Sequence, residues 1–174
     1  NRVFFVSGGS EAVESALKLA RQYALAIGEG SRWKIISRAP SYHGCTLGAL
    51  AITSYAPLTD PFAPMMQAMP KIPAYLDGLD ADKEATGHHY ADMLEAKIIE
   101  EGPESVLAFV VEPIGGASTG ALVPPRGYME RVQEICRKYG VLFILDEVMT
   151  GAGRTGKFLA SEHWNLAPDI IVMS

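Results

Sequence analysis

Short apolar runs alternate with segments of helical periodicity, and this order constrains the fold of the chain more than any other feature. The runs are mostly continuous, whereas strands of a sheet with one solvated face would alternate apolar and polar residues. Continuous runs are typical of parallel strands buried on both faces. We therefore predict an α/β fold with a mostly parallel sheet and helices on both faces. The predicted strands are Val3–Val6, Trp33–Ser37, Val106–Glu112, Val141–Leu145 and Ile170–Met173.

The segments between these strands show either helical periodicity or turn chemistry. From Glu11 onward, apolar residues recur on one helical face, and acidic residues occupy the first turn as the helix dipole prefers. Residues 54–80 contain five prolines and predict a long irregular excursion, while residues 113–125 predict a loop. The predicted helices are Glu11–Ile27, His43–Thr53, Tyr90–Glu101 and Arg126–Tyr139.

The composition limits the classes of partner. Of the 174 residues, 48% are hydrophobic, which favours one domain with a substantial core. The net charge of −5 and the lack of a strongly basic stretch argue against nucleic acid. No apolar run approaches the ~20 residues that span a bilayer, so a membrane is not expected as a partner. No metal site is expected, because the histidines lack ligand spacing to cysteine or aspartate.

Cys45 and Cys136 lie far apart and form no CxxC unit. Free thiols in a reducing compartment, the cytoplasm, are the simplest interpretation. Both cysteines fall in predicted helical segments, where buried structural thiols are expected. The chain begins and ends inside predicted strands instead of polar termini, so we expect it to be a fragment of a longer protein.

Polar clusters follow three of the predicted strands, at the carboxyl ends where α/β folds bind ligands. The first, "SGGSE" at residues 7–11, joins a strand to a helix. Its glycines and the free N–H groups of the helix N-terminus would suit a phosphate, and the Ser10 hydroxyl would either join them or cap the helix. An ordinary strand–turn–helix connection is the alternative. The other clusters are "EPIGG" at residues 112–116 and "DEV" at residues 146–148.

Asp146 ends a buried strand, where a carboxylate has several possible roles. It could hold a metal, orient a histidine or pair with a protonated ring nitrogen. The last role relies on the rule that a nearby opposite charge favours the charged form of a base. A solvated strand end is the alternative without function.

The segment after Asp146, "GAGRTGKF" at residues 151–158, partly matches the phosphate-cradling pattern GxxxxGK[ST] of ATPases. The pattern requires serine or threonine after the lysine, but Phe158 follows Lys157. The acidic strand end also precedes the glycines in the same connection. The segment is therefore predicted to be a turn and not a nucleotide cradle.

Tyr42 and His43 follow the second strand, in "PSYHGCTLGAL" at residues 40–50. The tyrosine could stack on a flat ligand ring, or it could be an ordinary half-buried residue. The histidine could be a ligand, a base or a hydrogen-bonded structural residue. A phosphate cradle, an aromatic plate and a buried aspartate for a ring nitrogen together describe a pyridoxal phosphate site.

Five segments in order resemble the motifs of the class III (omega) aminotransferases, which are pyridoxal phosphate enzymes of fold type I. These segments are "SGGSEAVESALKLAR", "SYHG", "VEPIGG", "RGYMERVQEICRKYGVLFILDEVMTGAGRTG" and "PDIIVMS", and they cover nearly the whole chain. The resemblance implies that residues 1–174 are part of the large, cofactor-binding domain. It also implies a homodimer whose active sites lie at the dimer interface.

The resemblance implies a role for each of seven residues. Gly9 and Ser10 would bind the cofactor phosphate. Tyr42 would stack on the pyridine ring with His43 beside it, and Glu112 would lie close to the ring. Asp146 would pair with the pyridine nitrogen, and Val148 would pack on the other face of the ring.

The chain departs from the family pattern in three ways. Relatives that use ornithine or GABA carry "EPxQGEG", but Gly115 and Ala117 replace the Gln and Glu here, which argues against those donors. Met149 stands where several relatives have Gln, so a polar contact to the ring hydroxyl would be lost. The third departure is an absence. In the family, the lysine that forms a Schiff base with the cofactor follows the "PDIIxxx" strand, but this sequence ends with that strand at Ser174. We expect this lysine immediately after Ser174.

The function predicted from the resemblance is transfer of an amino group from an amine or amino acid to a 2-oxo acid, so the expected partners are small molecules. A mutase, racemase or decarboxylase on the same scaffold is the first alternative, because the cofactor motifs do not separate these reactions. A non-catalytic cofactor-binding protein is the second.

Overall fold

A computed structural model describes residues 2–76 and 80–174 of the chain. It contains a five-stranded sheet of order β2-β1-β3-β4-β5, in which every neighbouring pair is parallel. The predicted α/β class with a parallel sheet is therefore confirmed. The strands are β1 (Lys34–Ala39), β2 (Lys71–Pro73), β3 (Val106–Val111), β4 (Leu142–Asp146) and β5 (Ile170–Val172).

Helices cover both faces of the sheet, as predicted from the continuous apolar strands. On one face, α1 and α2 pack against side chains such as Leu107 and Val110. On the other face, α4 and α5 enclose Phe109 and Phe143. The helices are α1 (Gly9–Ala26), α2 (Leu47–Ile52), α3 (Ala56–Thr59), α4 (Glu84–Glu101) and α5 (Tyr128–Tyr139). None of the helices in the described ranges is long and apolar enough to cross a membrane.

The central strand β3 shows why a continuous apolar run was predicted to be buried. All of its residues are buried, and successive side chains from Ala108 to Val111 enter cores on opposite faces of the sheet. On α1, small residues at helical spacing face the sheet and allow close packing. These residues are Val13, Ala16, Ala20 and Ala24.

The predicted strand Val3–Val6 is wrong. The segment is not a strand and pairs with none of the strands that the structure describes, and Phe4 and Phe5 are largely exposed. An apolar run becomes a strand only when a neighbour satisfies its N–H and C=O groups. The opposite error concerns β2, since residues 54–80 were predicted to be irregular but Lys71–Pro73 pairs with β1.

Several helix boundaries also differ from the prediction. The helix predicted at Tyr90–Glu101 begins at Glu84, while the one predicted at His43–Thr53 covers only Leu47–Ile52. The excursion 54–80 further contains α3 and a 3₁₀ helix at Asp60–Met65. Residues 77–79 of the excursion lie outside the described residues.

Cys45 and Cys136 are both free thiols, as predicted. Cys136 is buried in α5, and desolvation raises the pKa of its thiol well above the usual range. Cys45 is exposed in the loop before α2, so the prediction of a buried thiol is wrong there.

Gly87 of α4 is required where this helix crosses the loop before α5. A Cβ at this position would lie 1.9 Å from the carbonyl oxygen of Arg126 and 2.8 Å from the amide nitrogen of Tyr128. Both contacts are with backbone, which has little freedom to move. We expect Gly87→Ala to lower the free energy of unfolding of the intact protein by roughly 1–3 kcal/mol, as overpacking does.

Denaturant unfolding would measure this effect, with Gly30→Ala as the matched control. A Cβ at Gly30 meets only a Leu25 methyl, at 3.7 Å, so that variant should be neutral or slightly stabilised. At Gly87, which lies within a helix, the higher helix propensity of alanine acts in the opposite direction to the steric contact and favours the variant by about 1 kcal/mol. A stabilised Gly87→Ala protein would show that propensity outweighs the contact.

Candidate active site

The polar clusters of the sequence meet at the carboxyl edge of the sheet. Parallel strands bring their carboxyl ends to the same edge, and Asp146 at the end of β4 lies in register with Val172 of β5. Hydrogen bonds then link the clusters across large sequence separations. His43 bonds to Asp146, and the main chain of Tyr42 bonds to Glu112.

Asp146 is buried, with 5% of its surface exposed, so it is not a solvated strand end. Its Oδ2 lies 2.8 Å from His43 Nδ1, and its Oδ1 accepts a 3.1 Å hydrogen bond from the Val148 N–H. Each carboxylate oxygen has two lone pairs, so the side chain retains the capacity to accept a further donor. The geometry fixes the orientation of the carboxylate and leaves it able to receive a ligand N–H.

His43 is a buried residue that forms a hydrogen bond with Asp146. Its main-chain N–H donates to Thr53 Oγ1 at 2.9 Å, and its ring is fully buried. Because Nδ1 faces a carboxylate oxygen, this nitrogen carries the ring proton. Nε2 is buried without a hydrogen-bond partner among the described residues. His43 therefore orients Asp146.

The N-terminus of α1 contributes a second feature of the site. No side chain of the described residues caps this helix, and its N-cap is Gly8 in an extended conformation. The N–H groups of the first turn and the positive end of the helix dipole make this position favourable for an anion. A Cβ on Gly9 would lie 3.0 Å from Val148 Cγ1 and 3.7 Å from Ser174 Cβ. The helix start, Val148 and Ser174 are thus neighbours.

Ser10 does not cap α1, which was one of the two roles considered for it. Its hydroxyl oxygen instead accepts a 3.0 Å hydrogen bond from the Cys45 N–H and lies 3.5 Å from Cys45 Sγ. A Cβ on Gly44 would come within 2.7 Å of the same hydroxyl. Ser10 therefore ties the start of α1 to the loop that carries Tyr42 and His43.

Glu112 holds two loops of the site together. Its Oε1 accepts a 3.0 Å hydrogen bond from the Gly116 N–H, and its Oε2 accepts a 3.4 Å hydrogen bond from the Tyr42 N–H. The residue is buried, while Tyr42 is half-buried. Both oxygens of this carboxylate are thus engaged by main-chain donors, and the Tyr42 backbone is fixed.

Glu147 is a structural residue that the sequence reasoning did not identify. It is fully buried and accepts hydrogen bonds from the Thr150 hydroxyl and from two main-chain N–H groups, those of Ala160 and Ser161. These bonds anchor the loop after β4, which forms a series of turns as predicted. No helix begins at Lys157, so the nucleotide-cradle interpretation fails.

Comparison with known proteins identifies the family. A family model described as aminotransferase class-III matches residues 1–174. The chain belongs to the class III aminotransferase family.

Relatives of this class III chain cover its whole length but are longer themselves. It is 43% identical over 175 residues to the uncharacterized aminotransferase YodT of Bacillus subtilis, covering 99% of this chain and 39% of YodT. It is 38% identical over 174 residues to the hypotaurine/taurine–pyruvate aminotransferase of Paracoccus denitrificans, covering 99% and 38% respectively. The chain therefore spans about two fifths of the length of these relatives.

Solved structures agree with the family assignment. The omega transaminase of Pseudomonas jessenii in complex with PMP superposes with a TM-score of 0.92 at 37% identity, over 100% of this class III chain and 39% of that one. An amine transaminase from an uncultivated Pseudomonas species, in its PLP-bound form, superposes with a TM-score of 0.93 at 37% identity, over 99% of this chain and 40% of that one. The fold expected from the family resemblance is thereby confirmed.

Proposed function

We propose that the protein containing this chain is an aminotransferase that uses pyridoxal 5′-phosphate to move an amino group from an amine or amino acid to a 2-oxo acid. The observation that carries this proposal is the buried carboxylate of Asp146, held at the sheet edge beside the uncapped N-terminus of α1. Membership of the class III family and the aminotransferase names of its relatives favour amino transfer over mutase, racemase or decarboxylase activity.

The residues at the sheet edge fit the two charged ends of the cofactor. The first-turn N–H groups of α1 at Gly9 and Ser10 suit the phosphate, because helix N-termini attract anions. Asp146 suits the pyridine nitrogen, since a buried carboxylate within hydrogen-bond reach favours the protonated ring. The protein positions that would bind these two ends are close together. Gly9 lies against Val148, and the Val148 N–H donates a hydrogen bond to Asp146.

The remaining site residues would hold the ring in place. We assign Tyr42 to one face of the ring and Val148 to the other, with Glu112 shaping the site by fixing the Tyr42 main chain. The hydrogen bond between His43 Nδ1 and the Asp146 carboxylate keeps Asp146 oriented. When bound, pyridoxal phosphate supplies an electron-withdrawing ring that weakens the bond to be broken in the amino donor.

We propose that the residue after Ser174 in the intact protein is the lysine that attaches the cofactor. Ser174 follows β5 and lies near Gly9, and β5 is the sheet neighbour of β4. A lysine at this position would project from the sheet edge that carries Asp146. Borohydride reduction followed by peptide mapping of the intact protein tests this. Any residue other than lysine there would leave only a cofactor-binding relative of the aminotransferases.

The loop after β3 supports a donor other than ornithine or GABA. Relatives that use those donors carry glutamine where this chain has Gly115, but a Cβ here would lie 2.0 Å from Thr119 Oγ1 and 3.2 Å from Leu122 Cβ. In this chain the Thr119 and Leu122 side chains therefore occupy the space that a side chain at position 115 would need. Relatives are named as taurine–pyruvate aminotransferases, so pyruvate is the first acceptor to test.

A donor-by-acceptor screen on the intact protein, followed by a half-reaction, tests the function. With donor alone, an aminotransferase converts its bound cofactor to the amine form, which absorbs at a different wavelength, and pyruvate then reverses the change. Carbon dioxide release or racemisation of the donor without this conversion would favour the alternative reactions.

We further propose that the protein is a homodimer and that residues 1–174 belong to its large domain. Exposed apolar residues between α2 and β2 support an interface there, namely Tyr55, Leu58, Phe62 and Met65. Met69, in the same excursion, packs partly against the core of its own chain and is not counted in this interface. Light scattering at micromolar concentration should give twice the monomer mass, and a monomer would refute the proposal.

We also propose a cytoplasmic location, which is supported by the two free cysteines.

A further inference from the structure

A buried arginine lies directly behind the site, at the carboxyl end of β1. Arg38 is 1% exposed and is among the largest fully buried side chains of the described residues. Its Nη2 donates a 2.8 Å hydrogen bond to the main-chain oxygen of Glu112, and its Nη1 donates to the Tyr75 hydroxyl. Its guanidinium carbon lies 5.1 Å from the centre of the Tyr75 ring.

The surroundings of Arg38 keep it charged. Desolvation opposes the charge, but Tyr75, Tyr128 and Glu112 more than offset it, so the pKa of Arg38 is raised above its usual value. A buried charge without compensation would be strongly unfavourable. The Arg38 Nε and the Tyr128 hydroxyl nevertheless have no hydrogen-bond partner among the described residues. The fold thus keeps a buried cation close to Glu112 although not all of its donors are satisfied.

Arg38 reaches the site through two connections. The first is Glu112, whose main-chain oxygen it binds and whose carboxylate holds the N–H groups of Tyr42 and Gly116. The second is its own carbonyl oxygen, which accepts a 2.7 Å hydrogen bond from the hydroxyl of Ser41, the residue before Tyr42. Movement of Arg38 would therefore disturb both sides of the Tyr42–Glu112 contact.

We propose that Arg38 is a positioning residue: it fixes the Glu112 main chain, places a positive charge near the Glu112 carboxylate, and through that carboxylate sets the position of Tyr42. The consequence for catalysis rests on the proposed function, in which Tyr42 covers one face of the cofactor ring. The positioning itself is a property of the apo protein and is measurable without the cofactor.

Hydrogen exchange of the intact apo protein, followed by mass spectrometry, tests the proposal. Arg38→Met removes the charge and the fork of donors at similar volume. We expect exchange of the Tyr42 and Gly116 amides to accelerate by at least roughly tenfold, because each loses a fixed acceptor. The matched control is Arg32→Met. Arg32 also donates to main-chain oxygens, those of Pro103, Val106 and Tyr139, but it lies at the amino-terminal edge of the sheet.

The two variants separate positioning from general stabilisation. Both should lower the melting temperature, but only Arg38→Met should accelerate exchange at Tyr42 and Gly116. In the cofactor-loaded protein, Arg38→Met should also lower kcat by roughly 10²-fold, as small misplacements of catalytic groups do. Unchanged exchange at both amides would overturn the proposal, whatever happens to stability.

Arg38→Lys serves if Arg38→Met does not fold. Lysine keeps the charge, but a single ammonium group cannot reproduce the fork that reaches both Tyr75 and Glu112. Exchange at the two amides should then lie between wild type and the tenfold change expected for Arg38→Met. Wild-type exchange in Arg38→Lys would refute the need for the fork. Failure of the wild-type protein to bind pyridoxal phosphate would overturn the proposed function and leave this exchange result standing.

Discussion

Asp146→Asn is expected to lower kcat for amino transfer by roughly 10²–10³-fold, the range typical for loss of one preorganised electrostatic contact. The asparagine oxygen can still accept the hydrogen bond from His43 Nδ1, but the NH₂ group then faces the Val148 N–H, so a modest loss of stability is also expected. Asparagine carries no negative charge, however, and so does not favour a proton on the ring nitrogen. The fold should survive because the substitution preserves volume in a buried position.

Stopped-flow measurement of the half-reaction with a productive donor would detect this loss. Asp169→Asn is the matched control, because Asp169 also accepts a main-chain hydrogen bond, 2.8 Å from Phe143 N, but lies at the start of β5. It should retain near wild-type kcat. If Asp146→Asn kept wild-type kcat as well, Asp146 would have no role at the ring nitrogen and the proposed site would be wrong.

Glu147→Ala is expected to lower the free energy of unfolding by about 3–5 kcal/mol, with each buried donor left without an acceptor contributing roughly 1–3 kcal/mol. Three donors converge on this carboxylate, from Thr150, Ala160 and Ser161. The isosteric Glu147→Gln should also destabilise the protein, because its NH₂ group must face at least one of the two main-chain N–H donors.

Chemical denaturation of the intact protein would measure both variants. Glu162→Ala is a suitable control, since this exposed glutamate accepts a single main-chain hydrogen bond from Leu159 and should change stability by no more than about 1 kcal/mol. Equal losses in the Glu147 and Glu162 variants would show that burial adds nothing to the value of these hydrogen bonds.

The parts of the fold that were predictable from sequence are those in which local pattern and burial agree. The central strands β3 and β4 read as continuous apolar runs because both faces of the sheet are covered by helices. The α1 helix was predictable because its buried residues recur at helical spacing. Asp146 was a candidate because it is the polar residue that ends a buried strand.

The parts that could not be predicted depend on partners distant in sequence. β2 has only three residues and ends in Pro73, so its pairing with β1 leaves little trace in local composition. Val3–Val6 shows the converse, since its composition favours a strand but no described strand pairs with it. Local pattern identifies the capacity to pair, and only the neighbour decides whether pairing occurs.

In the site too, local sequence identifies candidate residues but not the distant partners that they contact. His43 and Asp146 were each candidates, but their hydrogen bond joins residues separated by 103 positions. Glu147 and Arg38 had no visible role, because a buried charge is recognisable only from the donors or acceptors that surround it. The roles of individual side chains in the ring contact remain predictions, supported by the convergence of all seven residues on one edge of the sheet.

The Glu112 carboxylate, which holds the main chains of two loops, bears on how this scaffold could diversify. Substitution at Glu112 would release two loops, and a side chain at position 115 would have to displace Thr119 and Leu122, so variation at either position requires the surrounding loop to adjust. Met149 is 50% exposed and Ala117 is exposed, and neither side chain makes a polar contact with the part of the chain that the structure describes. A mutant library that tests new donors for the proposed activity should therefore randomise positions 117 and 149, where side chains are exposed, and keep 112 and 115 constant.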